Sequence, residues 1–229
     1  MPDPGQVRSM FASIAGRYDL LNRVLSCGID QRWRRHLLRR IGNLEGARVV
    51  DSCCGTGDLT LALEQRGASV IGVDFTPEML HRARRKSARG GELFVHGDAL
   101  QLPIADGEVD ASTIAFGIRN VADRARGLAE LVRVVRPGGT VCVLEFSMPP
   151  GRWLGALYRF YFTRVLPRIG GLISGSPEAY RYLPDTVLAW PSPDELASEM
   201  RASGLVDCGY QRLSGGIACL SFGTRPIRS

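Results

Sequence analysis

A glycine-rich turn is the first part of the sequence whose residue types could do chemistry. A β-rich run ends in Asp51, and the chain then turns through Gly55-Thr56-Gly57 into a helical stretch. Glycines at such a turn let backbone N–H groups come close to a ligand, because a Cβ would block the approach. Asp74 ends the next β-rich run, 19 positions after Gly55. A carboxylate there can accept hydrogen bonds from both ribose hydroxyls, so the pattern predicts an adenosine-type ligand.

Two kinds of adenosine ligand fit such a turn, and the residues that follow it separate them. A nicotinamide dinucleotide site has a third glycine three positions after the second, which leaves the helix N-terminus open to pyrophosphate. Thr60 stands at that position. Asp58 puts a carboxylate at the same N-terminus, where it would repel pyrophosphate but tolerate a sulfonium cofactor with an amino group. The turn therefore favours S-adenosylmethionine, and a methyltransferase over a dehydrogenase.

Another acidic residue follows the third β-rich run. Asp98 is expected at the carboxyl edge of a parallel sheet, where it could accept a hydrogen bond from the adenine amine, with the Ala99 amide beside it. The alternative is that Asp98 only caps a turn. The predicted cofactor site consists of Asp51, Gly55, Thr56, Gly57, Asp74, Phe75, Asp98 and Ala99.

The elements that must position these residues alternate between strand and helix from about residue 47. This rhythm predicts an α/β fold with a mostly parallel sheet and helices on both faces. Together with the cofactor turn, it leads us to expect a Rossmann-like class I methyltransferase fold with seven strands, the final one antiparallel. Predicted helices begin at Asp58, after a Thr76 cap and after an Asp123 cap, and Pro137-Gly138-Gly139 ends the third. The predicted strands are 47–51, 69–74, 93–96, 109–116, 141–146, 206–213 and 217–223.

The whole chain, 1–229, is predicted to be a single methyltransferase domain with two additions to its core. The core is 46–150, and 191–229 completes it with a helix and a strand hairpin. Residues 1–45 are expected to form a helical substrate cap, and 151–190 a substrate or lid insertion. Segments added around a cofactor core usually build the substrate site.

Composition limits the remaining possibilities. No run of about 18 uncharged apolar residues is present, and the N-terminus does not resemble a secretory signal, so we expect a cytoplasmic protein. The six cysteines and three histidines lack metal-ligand spacing, which predicts no metal site. The net charge of +6 comes almost wholly from arginine, Lys86 being the single lysine. Such a surface could attract nucleic acid, anionic lipid or an acidic ligand, or could simply be solvated.

Motifs along nearly the whole chain resemble those of one family. They are Tyr18-Asp19-x-x-Asn22, Cys53-Cys54-Gly55-Thr56-Gly57, Phe116-Gly117-Ile118-Arg119-Asn120, Arg136-Pro137-Gly138-Gly139, Glu145-Phe146-Ser147 and Tyr182-Leu183-Pro184. The chain thereby resembles the quinone-biosynthesis C-methyltransferases, which methylate demethylmenaquinol and in some organisms also a ubiquinone precursor. The glycine turn is common to class I methyltransferases, whereas the other motifs are more specific.

The resemblance implies cofactor contacts at Thr56, Asp74, Asp98 and Ala99. Some family members have a serine where this chain has Ala115, so that contact is not expected here. The Cys53-Cys54 pair looks more like the menaquinone-only branch than the dual-function enzymes.

Carbon methylation of a quinol needs a nucleophilic ring carbon, which the phenolate form provides, and a route for the protons. Arg119 suits the anion, because its guanidinium stays cationic. Asn120 could orient the hydroxyl, while Tyr18 and Asp19 could cover the ring and carry a proton. The alternatives are that Arg119 pairs with Asp123 or caps a helix, that Tyr18 packs structurally with Asn22 one helical turn away, and that a carboxylate or bound water is the base.

The substrate's prenyl tail would need an apolar entrance near a membrane. Residues 153–173 mix large apolar side chains with Arg159, Arg164 and Arg168, which suits a helix lying on lipid. A lid packed on the protein's own core, or a homodimer interface, would explain the same pattern. The motifs typical of DNA amino- and C5-methyltransferases are absent, so we expect no nucleic-acid substrate, and the intact cofactor motif disfavours a non-catalytic binding module.

Overall fold

The structure is a computed structural model that describes residues 3–26, 28–87, 94–165, 168 and 184–227. Its centre is a seven-stranded sheet in the order β3-β2-β1-β4-β5-β7-β6. Neighbouring strands from β3 to β5 pair in parallel, whereas β7 runs antiparallel to both β5 and β6. The strands are β1 (Arg48–Ser52), β2 (Ser69–Asp74), β3 (Phe94–His96), β4 (Val109–Ala115), β5 (Val135–Phe146), β6 (Val206–Leu213) and β7 (Ala218–Thr224). The predicted fold class is confirmed.

Helices cover the sheet on both faces. They are α1 (Pro4–Ile14), α2 (Tyr18–Ser26), α3 (Asp30–Ile41), α4 (Asp58–Glu64), α5 (Pro77–Lys86), α6 (Arg124–Val134), α7 (Arg152–Phe160) and α8 (Pro193–Ala202). Successive residues of a strand point to opposite faces, and β1 feeds both layers in this way. Val49 packs with α3 and α4, while Val50 packs with α6 and α8. The core therefore lies in two layers, one on each side of the sheet.

Local capping explains where two helices begin. Asp123 accepts a hydrogen bond from the Arg126 backbone N–H at 3.0 Å, as its predicted cap role requires. Ser192 forms a reciprocal capping box with Glu195 in front of α8. Thr76 stands at the N-cap of α5, but the Asp74 carboxylate, rather than a Thr76 side-chain cap, holds this turn.

The predicted boundary between α6 and the fifth strand is wrong. Pro137-Gly138-Gly139 lies inside β5, which begins at Val135, and the register with β4 shifts there between Val109 and Ala111. Hydrogen bonding explains the difference, because the Gly138 N–H donates to the Arg225 carbonyl at 2.8 Å. A Cβ on Gly139 would lie 2.5 Å from the Asp110 carbonyl, so the bulge needs glycine.

The two added segments are described in part. Within 1–45, α3 packs on the sheet, and its Trp33 indole N–H donates to the Ser214 hydroxyl at 2.9 Å. Within 151–190, α7 continues into a π-helical turn, Tyr161–Val165. The motif residues Tyr182 and Leu183 lie outside the described residues. No helix in the described ranges is long and apolar enough to cross a membrane.

Candidate functional site

The glycine turn lies between β1 and α4, at the edge of the sheet where the parallel strands end. Gly57 has a φ of +83°, and a Cβ there would be 2.8 Å from the Phe94 ring. Gly55 has a φ of +56°, and the atom closest to an added Cβ is Tyr18 Cε1 at 4.0 Å. The backbone is thus held in a conformation that favours glycine, with room above it. This geometry fits a cofactor lying across the turn.

Asp74 is tied to the turn by both of its carboxylate oxygens. One accepts from the Gly55 N–H and the other from the Thr76 N–H, each at 2.8 Å. Burial raises the pKa of Asp74, and the backbone N–H bonds oppose that rise without cancelling it. Each oxygen can accept more than one hydrogen bond, so the carboxylate can hold the turn and also take ribose hydroxyls.

Asp51 supports the turn from below. Its oxygens accept hydrogen bonds from Thr60 at 2.7 Å and Thr113 at 2.9 Å. Burial raises the pKa of Asp51 to about 6, against the lowering effect of the two hydroxyls. Thr60 is the residue that replaces the third glycine of a dinucleotide site, and its hydroxyl is committed to this buried carboxylate.

The predicted adenine-side residues lie on the same edge of the sheet. Asp98 is exposed, and one of its oxygens accepts from the Leu100 N–H at 2.9 Å. The turn-capping alternative is therefore present in the structure. The loop is fixed to β2 by the Gly97 N–H, which donates to the Asp74 carbonyl at 3.1 Å. The Phe75 carbonyl lies 3.1 Å from His96 Nε2.

The N-terminal segment closes over the glycine turn through charged contacts. Asp19 accepts a hydrogen bond from the Thr56 hydroxyl and pairs with Lys86, which also contacts Asp58 at 2.8 Å. We call Lys86, Asp19 and Asp58 the Lys86 clasp. It joins α2, α4 and the end of α5, so the structure brings two predicted substrate residues, Tyr18 and Asp19, to the cofactor turn.

The Lys86 clasp alters the expected effect of Asp58 on a pyrophosphate ligand. Burial acts to raise the pKa of Asp58, but the hydrogen bond and charge of Lys86 outweigh it and the pKa is lowered. The Asp58 carboxylate is therefore already paired with a cation. Its repulsion of pyrophosphate is weaker than its position at a helix N-terminus suggests, and the commitment of Thr60 to Asp51 is the stronger departure from a dinucleotide site.

Arg119 pairs with a residue absent from the predicted site. Its Nη1 lies 2.6 Å from Glu145 Oε1 and also donates to the Phe116 carbonyl at 2.7 Å. The Arg119 and Glu145 side chains are only 7% and 1% exposed. Asp123 caps α6 instead, so the alternative that Arg119 pairs with Asp123 is wrong. The neighbouring Asn120 lies in the same 3₁₀ turn, Ile118–Asn120, directly after β4.

Close packing explains the sharp bend that positions Arg119. Phe116 has a φ of +59°, unusual for a residue with a side chain. Gly117 follows, and a Cβ on it would lie 2.4 Å from Cys53 Cβ. Cys53 itself has a φ of +52° at the end of β1. The Cys-Cys and Phe-Gly motifs therefore pack directly against each other.

Aromatic rings line the side of the Arg119–Glu145 pair that faces α7. The Phe146 ring is 4.7 Å from Phe116 and 6.0 Å from Phe162, and Tyr158 is 4.9 Å from Phe162, all between centroids. The Arg119 guanidinium lies 5.4 Å from the Phe146 ring centre. Flat apolar walls beside a buried cation suit an aromatic ligand that carries an oxygen.

Three buried polar atoms in this region have no hydrogen-bond partner among the described residues: Arg119 Nε, Glu145 Oε2 and the Tyr158 hydroxyl. Both members of the ion pair act electrostatically on Tyr158, although burial is the main reason its pKa is raised. Burial likewise raises the pKa of Tyr18, while the Asn22 hydrogen bond and the Arg119 charge lower it. One donor, one acceptor and a hydroxyl are therefore available to a ligand.

Sequence reasoning missed Glu145, Tyr158 and Lys86 as site residues. A glutamate near the end of an apolar strand was a usable signal for Glu145, because a buried carboxylate needs a partner. Lys86 stood out as the single lysine, but its sequence position did not indicate that Asp19 and Asp58 are its partners. Tyr158 had no comparable signal, since it depends on how α7 folds back. In the described ranges, no group of three or more His, Cys, Asp or Glu side chains could hold a metal ion.

Comparisons with known proteins agree on the family. The model of the ubiE/COQ5 methyltransferase family matches residues 3–225. A demethylmenaquinone methyltransferase from Thermus thermophilus is 52% identical over 95% of this chain and 100% of its own. A ubiquinone/menaquinone biosynthesis C-methyltransferase UbiE from Geobacter sp. strain M21 is 46% identical, over 96% of each chain.

Solved structures are similar in fold at low sequence identity. A chain from the complex between the Haloferax volcanii Trm112 methyltransferase activator and the putative methyltransferase superposes with a TM-score of 0.71 at 20% identity, covering 95% of this chain and 98% of that one. A possible histamine N-methyltransferase from Thermotoga maritima gives 0.65 at 19% identity, with 96% and 99% covered. With a family match over nearly its full length and relatives near half identity, this chain belongs to the ubiE/COQ5 methyltransferase family.

Proposed function

We propose that this enzyme transfers a methyl group from S-adenosylmethionine to a ring carbon of demethylmenaquinol, the last step of menaquinone formation. The observation that carries the proposal is the buried Arg119–Glu145 pair beside aromatic walls, at the same sheet edge as the glycine turn. The names of the relatives in Thermus thermophilus and Geobacter support the substrate class. A dual activity, extending to the ubiquinone precursor 2-polyprenyl-6-methoxy-1,4-benzoquinol, is the alternative.

The cofactor would be held across the glycine turn. Backbone N–H groups of Gly55, Thr56 and Gly57 would face it, Asp74 would take the ribose and Asp98 with Ala99 the adenine. Phe75 would lie beside the adenosine, and Asp51 would brace the turn. When bound, the cofactor supplies a methyl group already activated on a sulfonium, so the protein mainly has to align and activate the acceptor.

The acceptor ring would lie between the turn and the aromatic walls. Arg119 would stabilise the oxygen anion that makes the ring carbon nucleophilic. Asn120 would orient the hydroxyl, and Tyr18 with Asp19 would close the site from α2, where the Lys86 clasp already holds them. In this proposal residues 1–45 are the substrate cap and 151–190 the lid.

We further propose that α7 docks on an anionic lipid surface. Trp153, Leu157 and Phe160 are 92%, 66% and 60% exposed, and their spacing puts them on one face of the helix. Tyr158, on the other side, is buried against the site. Arg159 and its neighbours Arg164 and Arg168 are exposed and could reach lipid phosphates. A prenylated quinol resides in such a surface, and an enzyme docked there through α7 would lie peripherally at the inner face of the cell membrane.

Methyl transfer from radiolabelled cofactor to a short-tailed demethylmenaquinol tests the reaction. We expect label in the quinol under reducing conditions and none in the oxidised quinone. Equal labelling of the quinone would overturn the anion chemistry. Label in a bulk RNA acceptor, with none in the quinol, would overturn the substrate class.

Vesicle co-sedimentation tests the docking surface. Trp153→Ser with Phe160→Ser should reduce binding to anionic vesicles by at least about tenfold, because about 25 cal/mol is lost per Å² of apolar area no longer buried. Val206→Ser, at an exposed apolar residue of β6, is the matched control. Unchanged vesicle binding, or a change in oligomeric state instead, would show that this face does not dock on lipid and would favour a homodimer interface.

A further inference from the structure

The unpartnered atoms beside Arg119 make up one complementary set. Glu145 Oε1 is occupied, since it accepts from Arg119 Nη1 at 2.6 Å and from the Phe146 N–H at 2.8 Å. Glu145 Oε2 is buried and has no partner among the described residues, and the same holds for Arg119 Nε and the Tyr158 hydroxyl. An acceptor and a cationic donor thus belong to one ion pair, and both of its charges act on the Tyr158 hydroxyl.

We infer that Glu145 is the catalytic base that takes the hydroxyl proton of the substrate, with Arg119 and Tyr158 holding the oxygen left behind. The inference rests on the proposed function, which it deepens. A phenolic O–H can donate to Glu145 Oε2 and, once ionised, accept from Arg119 Nε and from Tyr158. A substrate hydroxyl that reaches the pair would supply the complementary partner that each of the three atoms lacks.

A purely structural ion pair would be built differently. Buried polar atoms are nearly always satisfied, because a buried donor or acceptor without a partner has lost its hydrogen bonds to water. Arginine and glutamate can satisfy each other through two parallel bonds. Here a single guanidinium nitrogen makes the contact, and the second carboxylate oxygen is left over. That arrangement leaves a donor and an acceptor unsatisfied unless a third group binds to them.

The proton and electron steps balance without any further reactant. Glu145 takes the hydroxyl proton, and the O–H bonding pair stays on oxygen as a phenolate. The ortho carbon then forms a C–C bond to the methyl group, while the broken S–CH₃ pair remains on sulfur. The ring carbon loses its proton to water, which restores the aromatic ring and the phenolate. Glu145 returns its proton to that oxygen, so one proton is released overall.

Charged and titratable groups face Glu145 from several elements. Arg119 comes from the turn after β4, Tyr158 from α7, and Cys219 of β7 is its register partner. Beyond them, Arg34 of α3 and Tyr18 of α2 interact with each other, and Arg119 acts on Tyr18. Burial raises the pKa of Glu145 although Arg119 opposes it, which brings the carboxyl nearer the basicity that proton transfer requires.

The test is the pH profile of Glu145→Gln with a short-tailed demethylmenaquinol. The amide preserves shape and can still accept from Arg119, but it carries no charge and takes up no proton. The loss of charge acts at every pH, whereas the loss of the base changes the pH profile. We expect kcat at pH 7 to fall by about 100-fold or more. It should then recover about tenfold per pH unit up to the pKa of the free phenol, near 10, because solvent supplies the ionised substrate. Loss by the same factor at every pH would overturn the inference and leave Glu145 a positioning role.

Two controls keep the outcome interpretable. Glu199→Gln removes a carboxylate from another arginine pair, on α8, and should leave the profile unchanged. Binding of 1-naphthol, followed by its fluorescence without cofactor, should weaken less than about threefold in Glu145→Gln; complete loss of binding would contradict a base role. If the wild-type enzyme itself transfers nothing to the quinol, the proposed function fails first and the inference falls with it.

Discussion

Arg119–Glu145 and Arg124–Glu199 join the same two residue types, but their contacts differ in geometry and burial. In the Arg124–Glu199 pair, Nε and Nη2 each bind one carboxylate oxygen at 2.6 Å, and both side chains are 35% exposed. In the Arg119–Glu145 pair, one nitrogen meets one oxygen, and both side chains are buried. The Arg124–Glu199 pair satisfies its own atoms through two bonds, and because both side chains are partly exposed, solvent screens their charges. The buried pair leaves Arg119 Nε and Glu145 Oε2 without partners among the described residues, and other interactions of the fold must offset the free-energy cost of burying it.

Removing the cation from each pair should produce the largest contrast. Arg119→Leu leaves the Glu145 carboxylate buried without a partner, which should lower the free energy of unfolding by about 3–5 kcal/mol. Arg124→Leu should lower it by less than about 1 kcal/mol, since its pair is exposed and screened. Urea unfolding measures both. The double variant Arg119→Leu with Glu145→Leu should recover most of the lost free energy, because no unpaired charge is then buried. Equal effects of the two single arginine variants would contradict the prediction.

A second buried carboxylate, Asp51, sharpens the comparison because it is held by hydroxyls rather than by a cation. Its pKa is raised to about 6, so folding favours its protonated form. The destabilisation caused by ionising Asp51 in the folded protein is absent below about pH 4, where the carboxyl is protonated in both the folded and the unfolded state. It is complete above the folded pKa. Relative to Asp51→Asn, the wild-type protein should lose about 3 kcal/mol of unfolding free energy between pH 4 and pH 7. Urea unfolding across that range gives the result, and a difference that does not change with pH would refute it.

The smallest effect is expected at the Lys86 clasp, three partly exposed charged groups that tie the N-terminal segment to α4 and α5. Lys86→Met should change the free energy of unfolding by less than about 1 kcal/mol, because solvent screens the charges. Protease cleavage within 3–26 should nevertheless become several-fold faster, since Asp19 loses its cation. Arg85→Met removes the same charge one residue away and is the control. Equal cleavage of the two variants would mean that the clasp does not hold the segment.

Local sequence signals predicted the framework, whereas long-range packing determined much of the site. Strand β2 and the cap at Asp123 follow from alternation and capping chemistry within a few residues. The place of Arg119 at the sheet edge also followed from its position after β4. Its partner could not be predicted, because Glu145 lies on another strand and the contact depends on the register between β4 and β5. The bulge at Pro137 was mistaken for a helix stop, since the Arg225 carbonyl that stabilises it is far along the chain.

The clasp has a practical consequence for handling this protein. Because Lys86 is the single lysine, an amine-reactive reagent can attack only its Nζ and the chain's α-amino group. Acylation would remove the positive charge that Asp19 and Asp58 share. Coupling through lysine to a sensor surface would therefore anchor the molecule at the contact between α2, α4 and α5. A thiol at an engineered surface position would attach it without disturbing that contact, and the acylation rate of Lys86 would report how often its ion pairs break.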